Sequence, residues 1–222
     1  MNSNWLHSNR FEVLLIALLM VIFSKIFFFS QGLYSQVVWP MNMVLLGLVS
    51  RGIFYESKVW FKTIKNMLFL VVVLVPFFSS TVFSTPVLTV PSLLAYLIFY
   101  SIIFIETMRL MVRPGEVTTS IIFGTVCGFL LLIVLATFSF LWMDYHHPNS
   151  LIHLEGQTIP EKYHQVTYFS SITLTTIGFG DITPSNDNSR LLAAFWGVVG
   201  QFYMVAVVGI IISKFTSRIT TE

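Results

Sequence analysis

Residues 163–181 read YHQVTYFSSITLTTIGFGD, and the fold turns on what this stretch is able to do. Tyr163 to Thr175 is uncharged and rich in apolar and hydroxyl side chains. At 1.5 Å per residue it makes a helix about 20 Å long, short of the roughly 30 Å of a bilayer's hydrocarbon core. Thr176-Ile177-Gly178-Phe179-Gly180-Asp181 follows, and its two glycines permit backbone that a Cβ would obstruct. Irregular backbone lies at membrane depth only where protein buries it or it lines a watery cavity. The stretch reads as a re-entrant half-helix running into such backbone, provided its surroundings are membrane-embedded.

The surroundings meet that condition. Of 222 residues, 55% are hydrophobic and only 10% charged, with mean hydropathy +0.82. An ordinary soluble domain is about 25% charged, and a soluble fold of this size cannot hide so much apolar surface. The chain is expected to be an all-α integral membrane protein with the lipid bilayer as its first partner. A net charge of +2, with no basic stripe outside the membrane-flanking loops, argues against a nucleic-acid partner. Cys127 is alone, so there is no disulfide framework.

Working outward from the half-helix gives six crossings. Val117 to Met143 precedes it and Leu191 to Ser213 follows it. Upstream, Asn66 to Ile105 is uncharged for a length of about 60 Å as helix, twice the membrane, so it must fold back. Ser79-Ser80-Thr81 and Ser84-Thr85-Pro86 supply the turn, giving helices near 66–79 and 87–108. Val13 to Phe29 and Gln36 to Ser50 complete the set. The first is expected to be retained, since Phe27-Phe28-Phe29-Ser30 offers no small-residue cleavage site. Its Lys25, near the helix end, is expected to snorkel to the interface.

Charge placement sets the orientation. Arg10, then Arg51, Lys58, Lys62 and Lys65, then Arg109 and Arg113, then Lys214 and Arg218 fall on one side. The opposite loops hold only Lys162 and Arg190 against Asp144, Glu155, Glu161, Asp181 and Asp187. Both termini are expected in the cytoplasm of a multi-pass protein of the cell membrane, as an even helix count requires.

Thr175-Thr176-Ile177-Gly178-Phe179-Gly180-Asp181 resembles the signature of the potassium channel superfamily, T-T-x-G-[Y/F]-G-D, set between an outer and an inner helix. The resemblance covers residues 118–214 and is specific from 163 to 200. It implies a four-helix transmembrane domain over 1–115 and a pore domain over 116–222. The pore domain would comprise outer helix, re-entrant pore helix, selectivity filter and inner helix. Its filter would bind K⁺ at Thr176, Ile177, Gly178 and Phe179, ending at Gly180, with carbonyls replacing the ion's hydration shell. Thr175, Asp181, Tyr168 and Phe169 would support the filter, the two aromatics as a cuff around it. Phe179 stands where Tyr is commoner. Ile172 stands where some relatives carry a carboxylate that pairs with the Asp after the filter. Gly200 matches the spacing of a gating-hinge glycine, with close helix approach as the other role for it. Gln201 reads as a hydrogen-bonding strut to the pore helix.

One signature per chain supplies one quarter of a filter, so the resemblance implies a homotetramer. The expected function is passive K⁺ conduction, with no cofactor beyond the permeant ion. No catalytic constellation points to an enzyme. A non-selective cation channel and a non-conducting scaffold or sensor subunit with a vestigial pore are the alternatives. Helix four has no Arg or Lys at three-residue spacing, so steep voltage gating is not expected, and Glu106 is placed to pair with Arg109. No ligand-binding ring is expected after the last helix. His146, His147, His153 and His164 lack the spacing of a metal site and read as a solvated outer loop.

Overall fold

A computed structural model describes residues 9–50, 59–78, 85–112 and 119–219. Its helices are α1 (Arg10–Phe23), α2 (Gln31–Ser50), α3 (Val59–Leu74), α4 (Pro86–Val112), α5 (Thr119–His146), α6 (Ile159–Leu174) and α7 (Asp187–Ile219). The turn expected near 79–84, Arg51, Lys58 and Arg113 lie outside the described residues, as does the expected division at 115–116.

Four described helices are long and apolar enough to cross a membrane: α2, and most of α4, α5 and α7. The chain is a membrane protein built almost wholly of helix. Of the six expected crossings these are four; the other two fall on α1 and α3, which are shorter, with Lys65–Phe78 the apolar stretch of the latter. α1 winds into a 3-10 turn at Ser24–Phe27, so it stops short of the expected Phe29. α3 does the same at Val75–Phe78. α2 starts earlier than expected, at Gln31, and contains a π turn at Tyr34–Val38.

α5 is apolar on every side, the pattern of a helix enclosed by others. It is packed by α1, α4, α6 and α7, and most of its residues are buried. α2 lies against α1, and α3 against α2 and α4. An aromatic seam runs through this packing. Tyr96 of α4 stacks on Phe138 of α5 at 4.6 Å, and Phe138 meets Tyr163 of α6 at 5.8 Å. Tyr163 in turn meets Trp39 of α2 edge-on at 6.0 Å. Rings of this size bury large areas and favour offset or edge contacts, so the half-helix is tied to the first four helices as well as to α5.

Two polar ties cross the upstream bundle. Asn42 Nδ2 donates to Ser24 Oγ at 2.7 Å between α2 and α1. Lys65 Nζ donates to Glu106 Oε1 at 2.7 Å between α3 and α4, with both side chains buried. This second tie corrects one expectation and adds to another, since the expected Glu106–Arg109 pair also forms. Lys65 is not an anchor in a loop, because α3 begins at Val59 and carries it into the bundle. Glu106 takes Lys65 as its close partner, with Arg109 farther off at 3.7 Å. A buried carboxylate is stabilised most by a cation buried beside it, whereas Arg109 is largely exposed.

Candidate functional site

α6 is capped before it starts. The Glu161 carboxylate accepts from the amides of Gln157 at 2.8 Å and Thr158 at 3.3 Å, and these bonds hold its titration below the usual carboxylate range. Lys162 Nζ, one residue on, donates to the buried Asp144 Oδ2 of α5 at 2.7 Å. Downstream, Phe169 is buried edge-on against Phe140 of α5 at 4.9 Å. α6 is thus docked along α5, with its C-terminal end at Leu174.

The signature begins where α6 ends. Thr175 closes the helix, its amide and its hydroxyl both donating to Ser171 O. The Thr176 amide donates to Thr173 O, and the amides of Ile177 and Gly178 converge on Ile172 O at 2.9 and 3.2 Å. The last carbonyls of a helix have no partner within it, and here the signature's own amides supply the partners. Ile172, which has no carboxylate to offer, contributes through its backbone.

The backbone of the signature alternates in handedness. Thr176, Gly178 and Gly180 have φ of 60°, 52° and 81°, while Ile177 and Phe179 between them do not turn positive. Left-handed backbone is strained for residues with a Cβ, which accounts for two of the three being glycine. Thr176 carries the third, and its Oγ1 accepts from Gln201 Nε2 of α7 at 3.4 Å. Gln201 therefore reaches the second residue of the signature, Thr176, not the half-helix to which a strut was expected.

The supporting residues divide. Tyr168 OH donates to Asp181 Oδ2 at 2.7 Å, closing a link from the half-helix to the far end of the signature. That hydroxyl holds the Asp181 carboxyl below its ordinary range and raises the Tyr168 phenol. Phe169 faces α5 and lies on the opposite side, so of the two expected cuff aromatics Tyr168 alone reaches the signature within this chain. His153 Nδ1 is 2.9 Å from Asp181 O, which ties the preceding loop to the same point. That loop is more ordered than its polar composition suggested. β1 (Leu151–Ile152) pairs antiparallel with β2 (Thr183–Pro184), in register Leu151 to Pro184. His164 is not in the loop at all: it sits on α6, edge-on to Tyr34 at 5.4 Å.

Gly200 lies against the end of α6. A Cβ there would stand 3.0 Å from both Leu174 C and Leu174 Cα and still nearer Leu174 O, and α7 runs unbroken through the position. Two backbones approach closely at this glycine. Sequence reasoning missed Tyr203, one turn on, whose hydroxyl donates to Thr125 O of α5 at 2.6 Å. An aromatic in an apolar helix carries no sequence signal of the carbonyl it will meet.

What the single chain leaves uncovered is equally specific. Ile177 is 56% and Phe179 72% exposed, although both are apolar. Along α7, Leu191, Phe195, Val198, Phe202 and Val205 are also exposed and recur every three to four residues on one face. The buried positions Trp196, Gly200 and Tyr203 lie on the other. Among the described residues no group of acidic, His and Cys side chains is placed to hold a metal ion.

An ion channel family model matches residues 128–217. The "Two pore potassium channel a" of Oryza sativa subsp. japonica is 43% identical over 47 residues, covering 21% of this chain and 12% of that relative. The chain thus matches about an eighth of that relative's length. No solved structure matches the chain. Residues 128–217 thus match the ion channel family, and this match and the partial relative support the resemblance to the potassium channel superfamily.

Proposed function

We propose that this chain is one quarter of a homotetrameric, K⁺-selective channel of the cell membrane, with Thr176 to Gly180 as its filter. The observation that carries the reading is the alternation of handedness at Thr176, Gly178 and Gly180. Extended backbone points successive carbonyls to opposite sides, whereas alternating left- and right-handed residues turn them to the same side. A dehydrated K⁺ needs such a row of oxygens, and four chains are needed to surround it. The exposed Ile177 and Phe179, at the signature itself, and the adjoining uncovered face of α7 leave room for further copies of the same chain around the filter. The C-terminal end of α6 adds partial negative charge below the filter, favourable to a cation there.

In this reading α5 is the outer helix, α6 the pore helix and α7 the inner helix, with α1–α4 outside them and both termini cytoplasmic. Conduction is passive and weakly dependent on voltage. Purified protein in liposomes is expected to pass K⁺ far better than Na⁺ and to be blocked by Ba²⁺ from the outer side. Gly178→Ala is expected to abolish flux while leaving the tetramer intact, because it strains the filter at a place where no neighbouring atom is touched. Equal K⁺ and Na⁺ flux through the parent protein would instead support a non-selective pore, and no flux a vestigial one.

A further inference from the structure

We infer that Tyr203 is a positioning residue for conduction: its hydroxyl fastens the inner helix to the outer helix and holds the pore's inner end off the axis. The inference rests on the channel reading above. Tyr203 is buried, 2.6 Å from Thr125 O. Its hydroxyl occupies a notch that exists only because residue 128 is glycine. A Cβ at Gly128 would collide with that hydroxyl, lie 3.0 Å from Tyr203 Cζ and 2.8 Å from Met108 Cε. The ring is flanked by Phe129 of α5 at 5.8 Å and Phe104 of α4 at 6.3 Å. Three helices therefore meet at one side chain, and one of them, α4, belongs to the upstream bundle.

The position of this junction along α7 gives it leverage. Gly200 fixes α7 against the end of α6, and Tyr203 lies beyond it, on the stretch leading away from the filter. Tyr203 is on the face shared with Trp196 and Gly200, opposite the exposed row Leu191 to Val205 that would face sister chains and the axis. Drawing Tyr203 toward Thr125 therefore draws the helix away from the axis. α4 contacts the same ring through Phe104 and is itself tied to α3 through Lys65–Glu106, so a displacement of the upstream bundle reaches the inner helix here.

Tyr203→Phe keeps the ring and removes the bond. A buried hydrogen bond changes an equilibrium about two- to tenfold, and four acting together multiply. Single-channel recording is expected to give an open-to-closed ratio at least tenfold lower than the parent's, with the K⁺/Na⁺ permeability ratio unchanged. Gly128→Ala is expected to act in the same direction, and adding it to Tyr203→Phe to change open probability less than twofold further. The second readout needs no conduction: nitroxides on a Gly209→Cys, Cys127→Ser background, with distances measured across the tetramer. Tyr203→Phe is expected to shift them shorter; if it does not assemble, Gly128→Ala serves. Unchanged distances and open probability, or a raised open probability, would overturn the inference. A parent protein without K⁺ flux would overturn the channel reading and leave the distances to decide this one.

Discussion

Gly200 separates two roles that the same residue could serve, and alanine there distinguishes them. If Gly200 is a flexible hinge in α7, replacing it with Ala removes backbone entropy from the unfolded chain and gains about 1 kcal/mol of helix propensity per subunit. If it is a contact, the new methyl lies 3.0 Å from Leu174 C and Cα, and backbone atoms cannot move aside as a side-chain end can. Overpacking of this kind costs roughly 1–3 kcal/mol, and at a backbone contact the upper half of that range applies. Net of propensity, the loss is about 1–2 kcal/mol per subunit, or a fall of roughly 2–8 °C in Tm for a chain of this size. Gly197, one turn earlier, is the control. Its nearest neighbour would be Thr173 O at 3.9 Å, so Gly197→Ala has no clash to offset the propensity gain and should raise Tm. Thermal melting of both variants in detergent, followed by helical circular dichroism and tetramer retention, gives the comparison. A Gly200→Ala protein as stable as Gly197→Ala would refute the contact reading.

Three further outcomes are expected. Tyr168→Phe removes the hydroxyl that keeps the Asp181 carboxyl low, so Asp181 stays charged over a narrower range and is lost at a higher pH as the outer solution is acidified; titration of single-channel conductance from the outer side should move upward in pH relative to the parent. Lys65→Met leaves Glu106 buried without its close partner and should cost about 3–5 kcal/mol, whereas Lys65→Met with Glu106→Leu should recover most of that loss in the same melting assay. Open probability between about −100 and +100 mV should vary weakly, because Lys65 and Glu106 form a neutral pair and at most about one effective charge per subunit remains to move, against three or four in a voltage sensor; a steep sigmoid would refute it.

The candidate site was legible because its chemistry is local. Thr175 to Asp181 is contiguous, and two glycines separated by one residue announce the alternation found at 178 and 180. The half-length helix was legible from arithmetic on length. What sequence did not show were meetings between distant positions. Glu106 lies one turn from Arg109 in sequence, yet Lys65, from another helix, is its closer partner. Tyr168 and Phe169 are adjacent, so a helix sends them in different directions, one to Asp181 and the other into α5. Nor does sequence place Leu174 behind Gly200. The end of α1 was misjudged for a related reason: hydropathy continues past the point where the backbone tightens into 3-10 geometry.

The exposure of Phe179 and of one face of α7 in the single chain has a consequence for inheritance. On the four-fold reading, every ring samples its members at random from whatever copies the cell makes. A variant that assembles but spoils one filter quarter, as Gly178→Ala is expected to, enters rings alongside sound copies. With equal amounts of both, about one ring in sixteen contains only sound chains. Such an allele would act dominantly, reducing current far below half. A variant unable to assemble would leave the sound copies to form rings among themselves and behave as a simple loss of dose.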